Sequence, residues 1–263
     1  MKNILVPVAA SKNIENTLQY AIDFAKFTGG KVFVLGDYNV ISRAGSILKV
    51  EEIIERETKA YVNQFIENVD HKGIELSNVV AKGSLPELIE RISNELSIDL
   101  VMVSSSSDIK EEVYLDSIPG SIIKRMEIPT IIVPENYNFE VPKNILTAFR
   151  SGVLKRKDVL LPLKKLQKKS GAHINLLFVK TPNHTEKDLN LNEELKSLSD
   201  TLIITENATT FQGVLEHFQS SKPDMLCVFR RKRGFFTKLW EKNIILKHEF
   251  HCNIPVLVLR GKF

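Results

Sequence analysis

Lys2-Asn3-Ile4-Leu5-Val6-Pro7-Val8 opens the chain, and Lys143-Asn144-Ile145-Leu146 repeats its first four residues at an offset of 141. The match spreads outward from there. Gly30-Lys31-Val32-Phe33-Val34-Leu35 meets Gly171-Ala172-His173-Ile174-Asn175-Leu176 at the same offset. Asp99-Leu100-Val101-Met102-Val103 meets Asp224-Met225-Leu226-Cys227-Val228, and Ile128-Pro129-Thr130-Ile131-Ile132-Val133 meets Ile254-Pro255-Val256-Leu257-Val258-Leu259. The offset has shrunk to about 126 by the last match, so the second copy lacks roughly fifteen residues in its middle. Two copies predict two domains, 1–136 and 142–263, joined across the polar, proline-bounded stretch Pro134 to Pro142.

Inside the first copy, strand and helix patterns alternate. Ile4 to Val8 is a buried-strand run, and Ile14, Leu18, Ala21, Ile22 and Ala25 follow at helical spacing until Gly29-Gly30. Val32 to Leu35 is a second strand, Ile47 to about Asn68 a long amphipathic helix, and Val79 to Lys82 a short strand. Ser84-Leu85-Pro86-Glu87 has the form of a capping box. Leu100 to Val103, a helix over Ser117 to Met126, and Thr130 to Val133 complete a β-α-β-α-β-α-β-α-β order. Continuously apolar strands separated by helices imply a parallel sheet with helices on both faces. Each copy is therefore expected to be an open, doubly wound α/β domain of five strands. The final strands of the two copies are expected to pair edge to edge, making one chain a pseudo-dimer. Pro162, within Val159-Leu160-Leu161-Pro162-Leu163, either kinks the first helix of the second copy or begins it.

Composition excludes several classes. Hydrophobic residues at 43% and charged residues at 26% suit a globular protein, not a disordered one. The longest apolar runs are strand-length, far short of a membrane span, and the first residues do not read as a secretory signal. Two cysteines are no disulfide framework, which points to a cytoplasmic setting. Up to Phe139 there are 14 Lys+Arg against 20 Asp+Glu; the remainder has 22 against 12. An acidic half and a basic half predict either mutual attraction or an anionic partner.

In sheets of this kind the ligand crevice lies at the carboxyl ends of the strands, beside the switch in strand order. The ordered set Asn3-Ile4-Leu5-Val6-Pro7-Val8, Gly83-Ser84-Leu85-Pro86, Asp99-Leu100-Val101-Met102 and Ile128-Pro129-Thr130-Ile131-Ile132-Val133, present once and echoed once, resembles the universal stress protein family in a tandem form. The resemblance implies a stress-response role, Rossmann-like domains and dimer-like pairing; some members bind ATP or AMP and others do not. Binding members have an aspartate after the first strand, where this chain has Ala9 and, in the second copy, Arg150. They also have Gly-x-x-Gly, nine residues, then Gly-Ser or Gly-Thr after the fourth strand, so that backbone amides approach the phosphates. In the first copy Ser104 falls on the first glycine and Asp116-Ser117 on the final pair, with Gly120-Ser121 a shifted alternative. In the second copy Phe229, Lys232 and Lys242-Asn243 take these places.

The candidate crevice of the first copy is thus Pro7, Val8, Ala9, Tyr38, Ser104, Ser105, Ser106, Ser107 and Ser117. A candidate anion patch in the second comprises Arg150, Arg230, Arg231, Lys232 and Arg233. Both nucleotide motifs read as degenerate. The expectation is a non-catalytic protein acting through a protein partner or a small polar or phosphate ligand, with no obligate cofactor. The alternatives are an ATP/AMP-binding switch and a weak ATP hydrolase. A nucleic-acid partner and a membrane role are not expected, and a homodimer is compatible with the pattern. His248, His251 and Cys252 gather two imidazoles and a thiol but lack a fourth ligand, so no metal site is assigned. Cys227 reads as a buried apolar residue, and Asp99 and Asp224 as structural residues at the starts of strands.

Overall fold

A computed structural model describes residues 1–40, 47–106, 112–154, 156–230, 244–247 and 250–260. In the first half, β1 (Asn3–Pro7), β2 (Lys31–Tyr38), β3 (Leu76–Lys82), β4 (Leu100–Ser105), a short β5 (Val113–Leu115) and β6 (Thr130–Pro134) alternate with helices. These are α1 (Ile14–Thr28), α2 (Ile47–Glu67), α3 (Leu85–Glu95) and α4 (Ser117–Arg125). The second half has β7 (Asn144–Phe149), β8 (His173–Lys180), β9 (Thr201–Glu206), β10 (Met225–Arg230), a short β11 (Ile245–Leu246) and β12 (Val256–Arg260). Its helices are α5 (Leu161–Ser170), the five-residue α6 (Glu193–Ser197) and α7 (Thr210–Ser221).

One ten-stranded sheet runs in the order β3-β2-β1-β4-β6-β12-β10-β7-β8-β9. Each half contributes five parallel strands, because each strand is followed by a crossover that returns over a face. The halves meet where β12 runs antiparallel to β6, with Val256 opposite Ile132 and Val258 opposite Thr130. The expected edge pairing is therefore present. Central strands such as β1 and β4 are buried on both faces, and their alternating side chains feed two apolar clusters, one on each side of the sheet.

The repeat is held by the same device twice. Asp99 Oδ2 accepts from the Lys2 and Asn3 amides at 2.7 and 3.3 Å, and Asp224 Oδ2 accepts from the Lys143 and Asn144 amides at 2.7 and 3.1 Å. Each carboxylate ties the start of its fourth parallel strand to the first. Burial works to raise the Asp99 pKa, but these two amides, the terminal ammonium and Lys165 outweigh it and hold the group below its ordinary range.

Some sequence expectations change and others are resolved. Strand register places Asn3 beside Lys31 but Asn144 beside His173, so Gly171 matches Gly29 and not Gly30. Both are left-handed helix caps, with φ of 75° and 70°, the conformation that favours glycine. Ser84 does not form a capping box: its side chain caps nothing, and Pro86 removes one of the amides that would need capping. Pro162 begins its helix and does not kink it, following a 3-10 turn over Lys157–Leu160. The shortening of the second copy falls between β8 and β9, where residues 181–200 replace the longer 39–75 connection that carries α2. The linker is also less solvated than its polar composition suggests, because the Phe139 ring packs 5.3 Å from Tyr20 and 5.8 Å from Phe24 on α1.

Candidate functional site

The strand order switches between β1 and β4, so the carboxyl ends of these strands form the crest where a ligand crevice is expected. Pro7 ends β1, and a 3-10 turn over Val8–Ala10 buries Val8 and leaves Ala9 exposed. Tyr38 ends β2, half-exposed, and its hydroxyl donates to Glu55 Oε2 on α2 at 3.3 Å. It is turned toward the helix and separated from the serines by β1.

The serine run is not a polar loop. Ser104 and Ser105 extend β4, pairing with Val133 and Pro134, and both are buried, as is Ser106. Strand alternation sends the first two to opposite faces. Ser104 Oγ accepts from the Lys12 amide at 3.1 Å, which fixes the turn after β1, while Ser105 lies on the face of Tyr114. The Ser106 amide donates to Tyr114 O at 2.9 Å. Ser107 lies outside the described residues. Ser117 is exposed at the first turn of α4, and Asp116 before it lies 3.6 Å from Lys12 Nζ, a solvent-screened pair. The described serines of the run, Ser104 to Ser106, are thus buried residues, the first two on opposite faces of the sheet.

The segment after β4, where binding relatives are expected to wrap phosphates, carries β5 instead. β5 pairs antiparallel with β11 of the second half, Ile245 opposite Leu115. Tyr114 is fully buried there, 5.1 Å from the Phe250 ring, which lies 4.9 Å from Phe211. Burial pushes the neighbouring Cys252 thiol up to about 11, so it remains protonated at neutral pH. Burial and Lys247 lower the His251 pKa. His248 lies outside the described residues, and among those described no group of three His, Cys, Asp or Glu is placed to hold a metal.

The second crest is filled by protein. Phe229 at the tip of β10 packs edge-on to Phe149 at 6.2 Å, and Phe149 lies 5.6 Å from Phe178. Arg150 follows β7, half-buried. The next turn is pinned under residues 188–192: the Gly152 amide donates to Asp188 O at 2.8 Å, and the Asn192 amide donates to Gly152 O at 2.9 Å. A Cβ at Gly152 would stand 2.6 Å from Leu191 Cα, so this close approach requires glycine. Arg230 turns across to the first half and donates to Met126 O. Burial lowers its pKa against the raising influence of Glu127. Arg231, Lys232 and Arg233 lie outside the described residues, so only Arg150 and Arg230 of the expected patch have a described place.

Three charged groups were not singled out from sequence. Lys12 meets Asp116 on the first crest. Asp37 sits beside Tyr38 with its carboxyl raised by burial. Arg260 ends β12 at the position Pro134 holds in the first half. An isolated charge ending an apolar strand run was the available signal for the last two.

Comparison with known proteins agrees with this architecture. The Universal stress protein family pattern matches residues 1–134. A universal stress protein from Archaeoglobus fulgidus DSM 4304 superposes with a TM-score of 0.66 at 17% identity, covering 99% of this chain and 97% of that one. A putative universal stress protein from Pseudomonas aeruginosa UCBPP-PA14 superposes with a TM-score of 0.57 at 13% identity, covering 99% and 94%. No curated protein matches the sequence. With the family pattern matching residues 1–134, just over half of its length, the chain belongs to the universal stress protein family.

Proposed function

We propose that this chain is a non-catalytic stress-response protein that works by binding, with neither crest acting as a triphosphate cradle. The observation that carries the reading is the pairing of β5 with β11, which occupies the segment where a phosphate loop would open. The burial of Ser104 against the Lys12 amide supports it, as do the three phenylalanine rings at the second crest. A small polar or phosphate ligand, or a protein partner, is then the effector, in a cytoplasmic setting. The β6–β12 junction makes one chain do what paired subunits do elsewhere. No described helix is long and apolar enough to cross a membrane.

Thermal unfolding in the presence of ATP or AMP tests the reading. Millimolar nucleotide is expected to leave the midpoint unmoved, whereas a ligand at a hundred times its Kd adds about 2.7 kcal/mol. A second reading, an adenine-nucleotide switch, draws on exposed Ser117 at the start of α4 with Lys12 nearby. A nucleotide-induced rise abolished by Ser117→Asp establishes that switch in place of the first reading. Phosphate release accompanying the rise establishes a hydrolase.

A further inference from the structure

The antiparallel junction of β6 and β12 sets the tip of the second half beside the base of the first. A cavity of about 520 Å³ opens at this seam, within the range that holds metabolites. Its walls come from both halves. The later turns of α3 bring Glu90, Ser93 and Asn94; the end of α4 and the residues after it bring Arg125 and Glu127; β12 brings Arg260. On the other side of the junction the strand-tip position that Arg260 holds is taken by Pro134, which offers no charge.

The arginines distinguish this seam. Arg230 and Arg260 are registered neighbours on parallel strands, so both guanidinium groups lie on one face. Two cations side by side repel unless anions answer them. Arg230 is answered by the Met126 carbonyl at the α4 C-terminus. Arg260 is answered poorly. Its Nη2 reaches Asp158 only at 3.6 Å, and that carboxylate already receives Arg156 in two-point fashion at 2.9 and 2.6 Å. Among the described residues, Arg260 Nε and Ser93 Oγ, both on residues that line the cavity, lack a hydrogen-bond partner. A guanidinium fork suits a carboxylate or phosphate in two-point contact. The exposed Glu90 carboxylate at the wall opposes a bare polyanion and suits a donor or ammonium group.

We propose that this seam is a binding site for a small organic oxyanion carrying a donor or ammonium group, with the oxyanion on Arg260 and the donor end toward Glu90. The proposal deepens the binding reading above and rests on it only in requiring a ligand and no turnover. Phosphoserine and glutamate serve as the phosphate and carboxylate probes, titrated into the full chain at constant ionic strength by calorimetry and thermal unfolding. A saturable midpoint rise with one probe is expected. Arg260→Gln should weaken it at least tenfold, while Ser117→Asp, at an exposed position on the first crest, leaves it intact. Glu90→Gln alters an exposed side chain and guards against a folding defect in the arginine variant. It should strengthen inorganic phosphate binding and weaken the zwitterionic probe. Absence of saturable binding by either probe, or binding indifferent to both Arg260→Gln and Glu90→Gln, overturns the proposal. Binding lost only in Ser117→Asp also overturns it, and assigns the ligand to the crest. An ATP-induced rise that survives Arg260→Gln tells against the functional reading and leaves the seam standing.

Discussion

At one end of the sheet β3 lies under α2; at the other, β9 has no helix of that length above it. Val80 pairs with Gly36 on β2, and a Cβ on Gly36 would stand 2.6 Å from Val62 Cγ2 of the covering helix. Ile204 pairs with Phe178 on β8 at the equivalent register, yet Ile204 is 53% exposed and Leu202 46%. Glycine thus lets a helix close on the first half, while in the second a phenylalanine turns inward to Phe149 and fills the space locally. One layer can therefore be supplied by a long connection or by larger strand side chains. Only the first solution also shelters the outermost strand.

The contrast can be broken at its strongest point first. Val62 is fully buried on α2, and Val62→Asp places an unpaired charge beneath the helix. Urea unfolding should show a loss of about 4 kcal/mol or more. The paired aspartates come next. Asp99→Ala and Asp224→Ala each leave two backbone amides short of a charged acceptor, and each should cost about 1.5–3 kcal/mol. Equal losses confirm that the two halves use one device; a much smaller loss at Asp224 breaks the equivalence. Because the folded-state pKa of Asp99 is depressed, its contribution is present above the unfolded-state value and lost as pH falls through the folded one. Asp99→Asn should therefore flatten the decline in stability below about pH 4, measured as unfolding midpoint against pH. The smallest effect belongs to the bare end, where Ile204→Asp should change stability by no more than about 0.5 kcal/mol. A loss comparable to that of Val62→Asp would mean that β9 is covered in solution, and light scattering would then show a mass above one chain.

Much of this was legible because apolar strand runs and their repetition leave a strong sequence pattern. Ile4 to Val8, Leu100 to Val103 and Thr130 to Val133 needed only their composition to be placed. The Asp99 and Asp224 matches rightly marked strand starts. Register between copies was less secure: two adjacent glycines, Gly29 and Gly30, both offered a match, and only the strand ladder chose. The serines misled because a polar run after an apolar strand normally leaves the core. Here Ser104 and Ser105 stay inside because the turn after β1 and Tyr114 close over them. β5 and β11 have three and two residues, too short for any periodicity, and exist because each finds the other across the halves. Arg260 stood out only as an isolated charge ending an apolar run. Its meaning comes from its neighbour Arg230 and from α4 of the opposite half.

The reversal of strand direction between β6 and β12 also governs what one partner molecule can reach. Both rims of the sheet carry one set of strand tips and one set of strand beginnings, so the molecule has no top that gathers both crests. A single flat surface docking on one rim grips the tip of one domain and the foot of the other. News of an occupant at one crest reaches its counterpart only through the shared ladder and the packing on either side of it.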